Sequence, residues 1–106
     1  MRIVTLASLF LLTSTLPAMA DCFDVIGCTD HDRFRKAGLR EMSCQLLWDI
    51  RNRIYKDNGY CFATEKAIGY FGNDGCYIHN QSSVKLNKFE RNNVTAIKAV
   101  ENDKGC

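Results

Sequence analysis

The alternation of apolar and polar positions is clearest between Ser43 and Phe62, SCQLLWDIRNRIYKDNGYCF. Cys44, Leu47, Ile50, Ile54 and Tyr55 recur at three- and four-residue spacing, with Leu46 and Trp48 widening the stripe. That spacing predicts one amphipathic helix. Ser43 offers a hydroxyl to the orphan amides of the first turn. Asn58-Gly59 is a stop signal, because glycine readily takes the left-handed backbone found at helix ends. Gln45, Asp49, Asn52, Arg53 and Lys56 fall on the opposite, solvent side, where Asp49 and Arg53 make an acid-then-base pair one turn apart. Arg51 breaks the pattern. At roughly 100° per residue it lands inside the apolar arc, and Asn58 falls on the same line. Such an arginine either bonds carbonyls or a carboxylate and fixes how the helix docks, or joins Asn58 in lining a small anion- or sugar-binding cleft.

Two further helices follow. Thr64 is an N-cap, Glu65 suits the helix dipole, and Ala67, Ile68 and Phe71 mark one face of two turns that end at Gly72-Asn73-Asp74-Gly75. Cys76 to Val84 reads as a loop with at most a short extended piece. Asn87-Lys88-Phe89-Glu90 resembles a capping box, and Phe89, Ala96, Ile97 and Val100 form a third stripe. Asn93 lies on the inward side of that stripe and needs hydrogen-bond partners there. Upstream, Thr29 and Asp32 suggest a cap for a short helix from about Asp30 to Ala37, closed by Gly38. Val25, Ile26, Phe34, Leu39 and Met42 would be its share of the core. The expected fold is all-α, a small disulfide-stapled bundle of three to four short helices with connecting loops.

Residues 1–20 have the form of a secretory signal peptide, with Arg2 as the basic start, Ile3 to Leu16 as the apolar run, and Ala18-Met19-Ala20 as the cleavage pattern. The run is too short to span a bilayer. Asp21 stands before Cys22, where a lipoprotein signal has a small residue, so no lipid anchor is expected. The organisation is then a leader at 1–20, an amino-terminal arm at 21–43 and a helical domain at 44–106.

All six cysteines (22, 28, 44, 61, 76 and 106) follow the leader. A domain this small buries only about two-thirds of its unfolded surface, and an even cysteine count in an exported chain implies disulfides. Zinc thiolates fit neither the oxidising compartment nor the irregular spacing. No Cys-x-x-Cys supports a redox role. Six cysteines allow 15 pairings, which the predicted elements narrow. Cys61 and Cys76 bracket the second helix; Cys44 and Cys106 meet if the first and last helices are antiparallel; Cys22 and Cys28 remain as a local clip.

The formal net charge is +2, and loss of Arg2 with the leader brings it closer to neutrality. This gives no reason to expect nucleic acid or an anionic membrane as partner. Arg33, Arg35, Lys36 and Arg40 are the only basic concentration, but Asp30, Asp32 and Glu41 are interleaved with them, as on an ordinary solvated face. His31 and His79 are the only histidines, and neither stands in a nucleophile motif or at metal-ligand spacing. Asp30-His31-Asp32 has cation-binding residue types, yet reads more simply as a polar turn. No cofactor, metal or catalytic residue is expected. The sequons at Asn80 and Asn93 need a eukaryotic secretory host and an exposed acceptor, and are discounted.

Leu47-Trp48-Asp49-Ile50-Arg51-Asn52-Arg53-Ile54-Tyr55-Lys56-Asp57-Asn58-Gly59-Tyr60-Cys61-Phe62 resembles the YARHG domain of exported bacterial proteins, named for a Tyr-Ala-Arg-His-Gly motif after a Leu-Arg-Asn-type segment. Arg51-Asn52, Tyr55 and Gly59 match, whereas Lys56-Asp57-Asn58 departs from Ala-Arg-His. Ala67 to Phe71 and Leu86 to Ile97 look like the family's later helices, so the likeness runs over about residues 44–101. It implies an exported, compact helical module suspected of working at the cell wall, with no catalytic residues to carry over. The expected function is a non-catalytic periplasmic or secreted binding module, with cell-wall glycan (peptidoglycan) as partner. The alternative is an inhibitor or accessory protein that binds another exported protein. Arg51, Asn52, Tyr55 and Asn58 are the candidate binding residues. Tyr60, Tyr70 and Tyr77, beside Asn73, Asp74 and Asn80, are either a sugar-stacking surface or the half-buried edge of the core.

Overall fold

A computed structural model describes residues 21–106; the signal peptide expected at 1–20 lies outside the described residues. A two-residue antiparallel ladder of β1 (Cys22–Phe23) and β2 (Gly27–Cys28) precedes the helices. These are α1 (Lys36–Arg40), α2 (Cys44–Asp57), α3 (Glu65–Phe71) and α4 (Lys88–Lys104), with one 3-10 turn at Gln81–Ser83. The architecture is mainly α, as expected.

The helices start and stop where their caps demand. Ser43 Oγ accepts the Leu46 N–H at 3.1 Å, and Thr64 Oγ1 accepts that of Ala67 at 3.2 Å. Asn87 and Glu90 exchange side-chain bonds with each other's amides at 2.8 and 3.0 Å, completing the capping box of α4. After α2, Gly59 turns the chain at φ +90°, and a Cβ there would lie 2.4 Å from the Tyr77 ring. Only glycine meets both conditions.

α2 and α4 pack antiparallel. Cys44 at the start of α2 is bonded to Cys106 beyond the end of α4, Arg51 pairs with Glu101, and Asn58 at the end of α2 reaches Glu90 at the start of α4. Moving forward along α2 is thus matched by moving back along α4. Leu47, Ile50, Ile54 and Tyr55 of α2 meet Val94, Ile97 and Val100 of α4, and Ile26, Phe34 and Leu39 of the arm complete the core. Each fully buried aliphatic side chain contributes about 1.5–3 kcal/mol. Cys61–Cys76 closes the loop that carries α3, and Cys22–Cys28 clips the ladder.

The arm departs from expectation. No helix forms from Asp30 to Ala37; residues 29–32 make a turn, and α1 begins only at Lys36. Asp32 reaches backward, accepting the Cys28 N–H at 2.7 Å, and Thr29 is buried instead of capping. Gly38 lies within α1, where the Ile26 side chain packs close against it. Ile26 is buried but Val25, beside it in the turn between β1 and β2, is 77% exposed. On α4, Phe89 is 42% exposed and Glu90 takes the inward place. The loop after Cys76 contains the 3-10 turn and a lone bridge from Tyr60 to Ile78. Asp49 and Asn52, expected on a solvent face, are buried. α3 and its aromatic residues cover that side, so α2 is enclosed by two neighbours.

Asp57, near the end of α2, carries a stability cost. Burial, followed by the negative charge of Asp21 and opposed by nearby Arg53, raises its carboxyl from 3.8 to about 7. Among the described residues, its buried Oδ2 has no hydrogen-bond partner. The folded state therefore keeps a proton to about pH 7 that the unfolded chain releases near its ordinary 3.8. Ionisation destabilises the fold at pH above 7, and the cost fades as pH falls from 7 towards 4. For a half-buried group, screening reduces it to about 1–2 kcal/mol. Asp57→Asn is expected to raise the urea midpoint at pH 8 and leave it nearly unchanged at pH 4. Equal midpoints for the two proteins at pH 8 would contradict this.

Candidate functional site

The side of α2 facing away from α4 is roofed by a run of rings. Tyr55 and Tyr60 lie 6.0 Å apart, Tyr60 and Phe62 5.2 Å, Phe62 and Phe71 5.1 Å, and Phe71 and Trp48 5.6 Å. Offset and edge-on contacts at these spacings are favourable beyond the area they bury. Tyr70 meets Trp48 edge-on at 5.5 Å and donates its hydroxyl to Asp49 Oδ2 at 2.6 Å. That bond, with burial and the Asp49 charge behind it, raises the Tyr70 pKa. Asp49 also accepts from Arg53 Nε, whose guanidinium is held protonated chiefly by that contact. The buried carboxylate therefore ties α3 to α2.

Within this roof lies a cleft of about 220 Å³ lined by Trp48, Arg51, Asn52, Tyr60, Phe62 and Gln81, together with Ala63, Thr64 and Ala67. Arg51 donates from Nε to Glu101 Oε1 at 2.6 Å and from Nη2 to Oε2 at 3.2 Å. This two-point pair fixes the docking of α2 on α4 and leaves Nη1 outside it. Asn52 Nδ2 donates to the Trp48 carbonyl at 2.8 Å, and its Oδ1 accepts no hydrogen bond among the described residues. The cleft sets aromatic residues beside a few placed polar atoms.

The other two sequence candidates lie elsewhere. Tyr55 is buried and edges a separate hollow with Gln81, Val84, Leu86 and Arg91. Asn58 Nδ2 donates to the Ile54 carbonyl at 2.7 Å and to Glu90 Oε2 at 2.6 Å. Arg51 and Asn58 therefore do not share a cleft: α4 supplies each with its own carboxylate. Sequence reasoning missed Trp48 and Gln81 as cleft residues. Trp48 had been assigned to the core stripe, and Gln81 arrives through the Tyr60–Ile78 bridge, for which there is no local signal.

The tyrosine–asparagine surface does not assemble as pictured. Asn73 is spent on Phe62, accepting its N–H at 2.8 Å and donating to its carbonyl at 3.0 Å. Asn80 caps the 3-10 turn. Tyr77 is 72% exposed, whereas Tyr60 is half-buried within the aromatic run. His31 is exposed, with Nδ1 2.6 Å from Asp30 Oδ1 and Nε2 3.6 Å from Asp32 Oδ2. The remaining ligand-type atom near it, Cys28 Sγ, is held in a disulfide and offers no thiolate.

The YARHG domain model matches residues 25–102, well over half of the sequence. The chain belongs to the YARHG domain family. No curated protein matches it, and no solved structure does. The match takes in most of the arm, in keeping with the contribution of Ile26, Phe34 and Leu39 to the common core. In this YARHG domain the motif positions hold the structure together. Arg51 fixes the α2–α4 register, Asn52 bonds a carbonyl of its own helix, Tyr55 fills the core, and Gly59 makes the turn beneath Tyr77. Family and disulfides together make it a small module of the extracellular or periplasmic space. Among the described residues no helix is long and apolar enough to cross a membrane.

Proposed function

We propose that this YARHG domain is a non-catalytic binding module of the bacterial cell wall, exported by cleavage after Ala20, which seats a sugar residue of the wall glycan in the Trp48 cleft. The observation that carries the reading is the pairing of aromatic walls with polar atoms that bond nothing else among the described residues. The Trp48 ring itself is stacked on Phe71 and has Lys66 Nζ 4.0 Å above it. Trp48, Tyr60 and Phe62 supply apolar walls, while Arg51 Nη1, Asn52 Oδ1 and Gln81 supply donors and an acceptor. A sugar ring presents one apolar face and a rim of hydroxyls, and such a cleft matches both. The nearby carboxylates are already committed, Glu101 to Arg51 and Asp49 to Arg53 and Tyr70. Neither histidine lines the cleft. This supports binding over hydrolysis.

Retention on isolated wall and titration with a peptide-free glycan oligomer test the proposal. Trp48→Ala is expected to weaken binding about tenfold, by loss of one apolar wall of the cleft. Gln81→Ala, on an exposed turn, should weaken it about threefold with the fold intact. Failure of the unmodified domain to be retained, or equal retention by both variants, would overturn the reading. So would release of soluble wall fragments on incubation.

A further inference from the structure

We propose that the groove between residues 33–36 and α4 binds a short acidic, alanine-containing peptide, the chemistry of the wall's stem peptides; this deepens, and rests on, the wall-binding role above. The groove encloses about 500 Å³. Phe34, Ala96 and Ala99 form its floor, Asn92 and Thr95 one wall, and Arg33, Arg35 and Lys36 the rim.

The acids that interleave with these cations in sequence do not neutralise them in space. Asp30 faces His31, and Asp32 faces the Cys28 amide and His31. Among the described residues, no ion pair is formed by Arg33, Arg35 or Lys36, and no carboxylate lines the groove. Three unpaired cations within four residues attract a ligand carrying several carboxylates.

The floor narrows the choice. Its apolar, small-residue surface suits the methyl groups of alanine side chains. Its single ring, Phe34, is buried to 4% exposure and offers no face on which a base could stack, which disfavours nucleic acid. The segment is also rigidly placed. Asn93 of α4 accepts the Phe34 N–H at 2.9 Å and donates to the carbonyls of Asp32 at 2.8 Å and Thr29 at 3.1 Å. The rim is thus held before any ligand arrives, which lowers the ordering cost of binding.

The test titrates the exported protein by calorimetry with a synthetic, amino-terminally acetylated stem tetrapeptide (alanine, γ-linked D-glutamate, meso-diaminopimelate, D-alanine), whose carboxylates outnumber its one amine, and, separately, with a peptide-free glycan oligomer. The tetrapeptide is expected to bind, with affinity that falls steeply as salt is added. The combined variant Arg33→Gln, Arg35→Gln, Lys36→Gln should weaken it at least about tenfold, while glycan binding stays unchanged. Thr95→Phe, which crowds the groove and keeps every charge, should also weaken the tetrapeptide alone. No tetrapeptide binding, or equal binding by both variants, overturns the proposal. Tighter binding of a glutamate-rich protein segment than of the tetrapeptide overturns the stem-peptide assignment. Loss of glycan binding with tetrapeptide binding intact would count against the Trp48 cleft and leave the groove standing.

Discussion

Asn93→Ala is expected to destabilise the domain by about 3 kcal/mol. The side chain is 1% exposed and makes three hydrogen bonds to the arm, to the Phe34 amide and the Thr29 and Asp32 carbonyls. Truncation leaves these backbone groups without partners in an interior that water reaches poorly, at about 1 kcal/mol each. The loss should show as a lower urea midpoint, and as faster amide exchange at Phe34 than at Ile50 or Ile54 of α2. Because the same bonds place Arg33, Arg35 and Lys36, the variant should also bind the tetrapeptide more weakly. Asn93→Asp keeps the shape and the acceptor but removes both donors, so it should destabilise as well. A midpoint shift worth less than about 1 kcal/mol for Asn93→Ala would mean that other contacts hold the arm.

The parts of the fold written locally in the chain were legible. Ser43, Thr64 and the Asn87/Glu90 box start α2, α3 and α4 because a cap needs only residues within one turn. The need of Asn93 for partners could be read from its inward phase, although its partners, some sixty residues away, could not. The arm differs from its sequence pattern because Asp32 spends its capping chemistry on the Cys28 amide of the ladder and Thr29 is buried, and nothing in their spacing distinguishes these uses from a helix cap. Asp49 and Asn52 were placed in solvent because one stripe implies one neighbour, and α2 has two. The role of Arg51 was legible as a choice between docking and binding. Its docking to Glu101 is plain in the structure, and the same residue also lines the cleft.

The two binding proposals use faces that sequence periodicity treats as unremarkable. On α2, the polar side becomes a cleft once α3 brings its rings over Trp48. On the arm, an apparently mixed-charge stretch becomes a cationic rim because the turn at 29–32 draws Asp30 and Asp32 away. In both cases tertiary contacts sort residues by what they are already bonded to. The unspent groups that remain are the candidates for function, and this sorting is invisible in composition.

Replacing both Cys44 and Cys106 by serine should cost the most, about 4 kcal/mol. The bond joins residues 62 apart in sequence, and closing a loop of that length removes more freedom from the unfolded chain than the bonds spanning 15 and 6 residues, worth about 3 and 2 kcal/mol on the same model. Small domains have total stabilities of about 5–15 kcal/mol, so this one bond is a large share of the whole. The native contacts beside it should survive, because Leu47, Ile50 and Ile54 still face Val94, Ile97 and Val100 and the Arg51–Glu101 pair lies well inside the ends. The expected variant is therefore folded at low temperature, with a helical circular-dichroism spectrum like that of the parent and a melting point lower by more than about 15 °C. The equivalent change at Cys22 and Cys28 should lower the melting point by about half as much. If removing the Cys44–Cys106 bond cost less than removing Cys22–Cys28, the interior and not the cross-link would be holding α2 against α4.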